Sequence, residues 1–190
     1  MPIYGFPVMT ASNLPGFGRE HWEVMQSYHR MVGLLVLMHD ASAGTVRVDR
    51  SGKPQITYQV NAREQALFVD GMKHCAEILF AGGAKKVLVP YEPPLWLRPG
   101  DDLRAIDRRG LRPNNPLLVS THPQSTCRMG EDPRRAVVNS WCQSHDLKNL
   151  FICDMSVFPS SLGAPPQIST AAIADRTAHY IRDNWSQIVA

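Results

Sequence analysis

Apolar residues fall along this chain in short runs and stripes whose spacing predicts alternating strands and helices. Residues 1–18 are rich in Pro and Gly and predict an irregular lead, followed by a short helix over Arg19–Arg30 with Trp22, Met25 and His29 on one side. Gly33 to Asp40 is nearly all apolar and reads as a buried strand. Gly44–Asp49 and Gln55–Val60 alternate apolar and polar residues around Arg50-Ser51-Gly52-Lys53, which predicts a β-hairpin. The longest helix opens at Asn61, whose side chain suits the first turn while Glu64 reaches back from three residues on. Phe68, Met72, Cys75 and Leu79 form its inward stripe, and Gly82-Gly83 ends it. Lys86–Val89 follows as a short strand, Pro90–Pro99 as a stretch too rich in proline for regular structure, and Asp101–Arg109 as a helix. Pro116–Thr121 reads as a strand that delivers His122. Beyond Gly130, Val137-Val138 is extended and Asn149–Cys153 is an apolar strand ending on Asp154. Ile168–Ile181 is the last helix, with Ile173, Ala174, Thr177 and Ile181 facing inward.

Composition narrows this picture little. With 44% hydrophobic and 19% charged residues the chain is an ordinary globular sequence. A formal charge of +3 with scattered basic residues gives no nucleic-acid footprint. The longest apolar run is only strand length, so no transmembrane segment is expected, and the N-terminus lacks the charged and apolar regions of a signal peptide. Cys75, Cys127, Cys142 and Cys153 have no CxxC spacing. Together these features point to a reducing, cytoplasmic setting.

Two runs carry the chemistry. Thr121-His122-Pro123-Gln124-Ser125-Thr126-Cys127-Arg128-Met129-Gly130 places one histidine at the mouth of a glycine-terminated turn. Asp154-Met155-Ser156-Val157-Phe158-Pro159 ends an apolar run on an acid and then turns. Strand ends that bear a base and an acid beside a helix start are how α/β proteins build ligand sites. An imidazole with an ordinary pKa of about 6.5 can accept a hydroxyl proton near neutrality, and Pro123 holds His122 extended. Gly130 and Gly163 suit positive φ or close backbone approach. Asp154 suits either a ribityl or ribose hydroxyl or the cap of its own turn, and Arg128 suits either a phosphate or Asp132. At Pro165-Pro166-Gln167-Ile168 the prolines fit a helix entry, and the free N–H groups of Gln167 and Ile168 form a seat for negative charge. The remaining histidines form no metal-binding spacing, no GxSxG elbow is present, and Asp175 with His179 reads as a helical pair.

In their order and separation these runs resemble the C-terminal part of the glucose–methanol–choline (GMC) family of flavin-dependent oxidoreductases. The likeness is strong over about residues 115–183 and looser over 1–114. It implies a fold between α+β and α/β, with an antiparallel substrate-domain sheet and helices over 1–121. The catalytic loop and the C-terminal strand–helix part of an FAD-binding domain would occupy 122–190. It implies His122 as the catalytic base, Asp154, Met155, Pro166, Gln167 and Ile168 as flavin contacts, FAD as cofactor, no metal, and a small-molecule alcohol as substrate. The helix start would stabilise the anionic pyrimidine edge of a reduced flavin. Where Ser125 stands the family usually has Gly. At Pro165 it usually has Asn or His, a second polar group at the substrate hydroxyl. No G-x-G-x-x-G follows a strand near the N-terminus, so the expectation is an N-terminally incomplete chain whose partner is the missing FAD-binding half. The alternative is a non-catalytic orphan fragment or binding module.

Overall fold

The structure, a computed structural model, describes residues 2–3 and 5–189; of the expected irregular lead, Met1 and Tyr4 lie outside the described residues. Helices α1 (Pro7–Asn13), α2 (Arg19–Met25), α3 (Ala62–Ala81), α4 (Arg104–Arg109), α5 (Gln167–Asp183) and α6 (Trp185–Ile188) are joined by three antiparallel strand pairs. These are β1 (Pro2–Ile3) with β2 (Gly33–Leu34), β3 (Thr45–Val48) with β4 (Pro54–Thr57), and β5 (Val87–Val89) with β6 (Leu95–Leu97). The architecture is thus mixed helix and antiparallel sheet. The chain divides into two compact units, residues 1–38 with 60–119 and residues 39–59 with 120–190.

Unit one is organised by α3. Asn61 accepts a hydrogen bond from the Glu64 N–H at 2.9 Å, and the Glu64 carboxylate accepts from the Asn61 N–H at 3.1 Å, so the expected capping box is present. Gly82 caps the other end and Gly83 turns left-handed at φ +90. The inward face is rotated from the expected stripe: Ala76 is fully buried, with Val69, Met72, Leu79 and Phe80 packed around it. They close on Val87 and Val89 of β5, Tyr91, Leu97 of β6 and Ile106 of α4. The Lys73 ammonium meets the Asp107 carboxylate at 2.9 Å, joining α3 to α4.

Local signals were overridden in five places. The Pro-rich stretch 90–99 contains β6, because Pro93 and Pro94 sit in the turn, where no ladder N–H is needed, and Leu95–Leu97 are free to pair. The irregular lead contains α1, with Pro7 at its first position preset for helical φ. Of the strand expected over 33–40, only Gly33–Leu34 is paired. Residues 116–121 and 149–153 form no strand, and Phe151 makes a single bridge to Gln143. An apolar run supplies the inclination to extend, but a strand exists only where a second backbone meets its N–H and C=O groups.

Unit two has a smaller core of Val138, Cys142 and Val157, packed against Met129, Ile152, Cys153 and Ile173 of α5. Its hairpin β3–β4 turns on Asp49. That carboxylate accepts from the Ser51 and Lys53 N–H groups and the Ser51 hydroxyl at 2.7–2.9 Å, and these bonds hold it below the usual carboxylate pKa.

Candidate active site

The loop bearing His122 is held in unit two by backbone hydrogen bonds on both sides. On one side the Cys127 N–H donates to the Ser156 carbonyl at 3.0 Å and the Met129 N–H to the Val157 carbonyl at 2.8 Å. On the other, the Val137 N–H donates to the Arg128 carbonyl and the Gly130 N–H to the Val138 carbonyl. The two chemistry-bearing runs of the sequence therefore lie side by side. His145 adds an anchor that sequence reasoning missed, its Nε2 lying 2.9 Å from the Gly130 carbonyl oxygen. Gly130 permits the close packing, since a Cβ there would stand 3.0 Å from the Ala136 Cβ.

His122 is half-buried and sits in coil rather than at the end of a strand. Two residues later the Gln124 side-chain oxygen accepts the Leu162 N–H at 3.1 Å, tying the loop to the segment that leads into α5. Ser125 adopts φ +68, the left-handed region that glycine occupies without penalty. Asp154 is exposed and caps its own turn, accepting the Ser156 N–H at 2.7 Å. Met155 is half-buried. Beside them burial pushes the Cys153 thiol up, with the neighbouring Cys142 and Asp154 adding to the effect. Asp132 pairs with Arg134 at 3.0 Å, not with Arg128, whose exposed guanidinium forms no ion pair among the described residues.

Pro166 is the N-cap residue of α5, and its side chain is fully buried. Its carbonyl accepts both the Thr170 N–H at 2.8 Å and the Thr170 hydroxyl at 2.9 Å. No side chain caps the first turn. Gln167 and Ile168 are exposed there, Ile168 at 86%. An uncapped first turn leaves N–H donors at the positive end of a 17-residue helix, which suits an anionic or electron-rich ring edge. This donor set fits the isoalloxazine end of a flavin. His179 lies 3.6 Å from Asp175 within α5, the helical pair expected.

The site residues do not line either of two clefts in unit one. The first, about 240 Å³, runs between the α1–α2 connection and the 90–92 and 114–117 segments; the second, about 540 Å³, lies beside Lys86, Trp96, Arg98 and Asp101. Among the described residues no three His, Cys, Asp or Glu side chains group as a metal site, and no helix is long and apolar enough to cross a membrane.

Residues 40–174 match the family model described as GMC oxidoreductase. A long-chain-alcohol oxidase of Arabidopsis thaliana is 27% identical over 158 residues, covering 79% of this chain and 21% of that protein. A 2-methyl-1,2-propanediol dehydrogenase of Mycolicibacterium austroafricanum is 38% identical over 68 residues, covering 36% of this chain and 12% of that one. The crystal structure of pyridoxine 4-oxidase from Mesorbium loti superposes with a TM-score of 0.51 at 23% identity, over 77% of this chain and 28% of that chain, and shares the fold. The chain spans about a fifth of the first curated relatives it matches.

Proposed function

The chain belongs to the GMC oxidoreductase family, and on that premise we propose that it forms the C-terminal part of an FAD-dependent enzyme that oxidises CH–OH groups of a small-molecule alcohol. The reading is supported above all by one arrangement: the His122 loop is laid along the Asp154–Phe158 turn by the Cys127 and Met129 backbone bonds.

In this reading His122 takes the hydroxyl proton on an imidazole nitrogen, a contribution worth a factor of about 10²–10⁴ in rate. Pro123 and the Gln124–Leu162 hydrogen bond orient the imidazole. The chemistry that FAD supplies when bound is acceptance of hydride from the carbinol carbon. With FAD bound, the Gln167 and Ile168 N–H groups would hold negative charge at the flavin's pyrimidine edge, with Pro166 setting the helix entry. Asp154 and Met155 would contact the cofactor from the neighbouring turn, which the Asp154 carboxylate also caps. The partner that this reading calls for is the nucleotide-binding half of such an enzyme, which would seat the ADP portion. By this division residues 1–121 belong to the substrate domain and residues 122–190 carry the catalytic loop and flavin-domain end. Four free thiols support a reducing, cytoplasmic setting. A non-catalytic binding module is not favoured, since the histidine loop, the acid-bearing turn and the uncapped helix start are all retained together.

Mixing the chain with the nucleotide-binding half of a relative and FAD should restore alcohol-dependent dye reduction. His122→Ala should lower the turnover at least 10²-fold with KM little changed. Failure of every such half to restore reduction, or full turnover in His122→Ala, overturns the reading.

A further inference from the structure

The β5–β6 hairpin of unit one has a buried face and an outward one. Val87, Val89 and Leu97 point into the core, while Leu88 pairs with Trp96 on the other side, where Trp96 is 39% exposed. Continuing this antiparallel register one step past the Val87–Leu97 pair sets Lys86 opposite Arg98, on the outward face with Trp96. The Lys86 ammonium lies 4.2 Å from the centre of the Trp96 ring, a cation–aromatic contact that holds it in place. Lys86, Trp96, Arg98 and Asp101 line the cleft of about 540 Å³ described above. Like charges at directly opposed positions of a ladder repel each other, and nothing within the hairpin relieves this. The neighbouring carboxylates are committed elsewhere. Asp102 takes Arg104 and Arg108 at 3.1 and 3.2 Å, and Asp107 takes Lys73 at 2.9 Å. Asp101 accepts the Arg98 backbone N–H at 2.7 Å and returns its own N–H to the Arg98 carbonyl, in a turn closed by Gly100 at φ +92. Among the described residues neither Lys86 nor Arg98 forms an ion pair.

We propose that this face binds a small soluble organic phosphate, its oxyanion bridging Lys86 and Arg98 and its carbon portion lying against Trp96. The inference concerns unit one alone and does not rest on the flavin-dependent reading. The guanidinium presents N–H donors in a planar fork that matches phosphate oxygens, and the pinned ammonium adds a point charge on the opposite side. An anion between the two turns a repulsion into two charge-assisted contacts. The cleft is larger than a bare ion needs, and the indole supplies the apolar surface that an organic group would cover. The adjacent carboxylates Asp101 and Asp102 oppose a continuous anionic surface such as a bilayer and favour a single soluble anion.

Two experiments on the 190-residue chain test this. In spectra of ¹⁵N-tryptophan-labelled chain, phenyl phosphate should move the Trp96 indole signal, identified by its loss in Trp96→Phe. The signals of Trp22, Trp141 and Trp185 should stay in place. Lys86→Gln and Arg98→Gln, both at exposed positions, should each weaken the affinity about tenfold or more. Asp101→Asn keeps an oxygen for the Arg98 N–H but removes the opposing charge, and should tighten binding. Added salt should weaken it in every variant. Phosphatidylcholine vesicles carrying phosphatidic acid, which offer the same group on a lipid, should leave the chain in the supernatant on sedimentation. A Trp96 signal unmoved by millimolar phenyl phosphate, or an affinity unchanged in both Lys86→Gln and Arg98→Gln, overturns the inference. Looser binding in Asp101→Asn overturns its electrostatic basis. Sedimentation with the vesicles that Lys86→Gln abolishes overturns the soluble source of the phosphate.

Discussion

Ser125 carries a backbone demand that its side chain does not suit. At φ +68 a residue with a Cβ crowds its own carbonyl, at a cost of about 1–2 kcal/mol, and glycine escapes this at a smaller cost in unfolded-chain entropy. The resemblance to a family that has Gly at this position now has a physical basis in the turn that follows His122. Ser125→Gly should leave stability unchanged or raise it, while Ser125→Val should lower it by about 1–3 kcal/mol, because a β-branched side chain tolerates the left-handed region worst. Urea denaturation of the two variants decides it; equal midpoints would show that the turn relaxes. Asp102 supplies a residue-scale pH dependence. The Arg104 backbone N–H, then the Arg104 and Arg108 guanidiniums, hold its carboxyl down to about 2. A carboxylate of depressed pKa contributes stability above its unfolded value of about 3.9 and loses it as pH falls through the folded value. Asp102→Asn should therefore be less stable than the parent at neutral pH, and the difference should vanish between about pH 4 and pH 2. Urea midpoints measured across that range test the sign.

At the scale of elements, the parts legible in the sequence are those whose information is local. The α3 capping box, its Gly82-Gly83 stop and the hairpin around Arg50–Lys53 each depend on residues a few positions apart, and each is present. Asn61→Ala should remove one reciprocal bond of the box and cost about 1 kcal/mol, read as a lower urea midpoint with unchanged slope. The strands expected over 116–121 and 149–153 needed a partner backbone, and hydrophobicity names no partner. Gly163 shows the same limit: its close approach was readable from the glycine, but the side chain that meets it, His39, comes from more than 120 residues away and was not. Gly71 illustrates a long-range contact overriding local propensity. Mid-helix glycine costs about 1 kcal/mol against alanine, yet a Cβ at Gly71 would stand 2.6 Å from the Val36 Cγ1. Gly71→Ala should therefore destabilise the chain despite its better helix propensity. In a Val36→Ala background the same substitution should become stabilising. Alanine at 71 stabilising in both backgrounds would mean that Val36 does not rest on the helix.

For the whole molecule, the question is what apolar surface is left uncovered. All of β3 and β4 is exposed, and register sorts the hairpin into two faces. Thr45 with Thr57 and Arg47 with Gln55 make a polar face, while Val46 with Ile56 and Val48 with Pro54 make an apolar one. Val46, Val48 and Ile56 are 52%, 70% and 74% exposed. A two-stranded hairpin with both edges open is marginal by itself, and an uncovered apolar face beside unpaired edges is a template for association. This chain spans about a fifth of the alcohol oxidases it matches. The purified chain should therefore self-associate as its concentration rises, visible as a growing scattering mass. Val46→Thr with Ile56→Thr should reduce that growth without loss of far-UV circular dichroism, because threonine keeps the β-branched shape and replaces a methyl with a hydroxyl. Complementation with the nucleotide-binding half should suppress association even with the hairpin unaltered. If the double variant still associates as strongly as the parent, the contact lies on another face. The run Leu117–Val119, exposed at 44–60%, is then the next place to substitute.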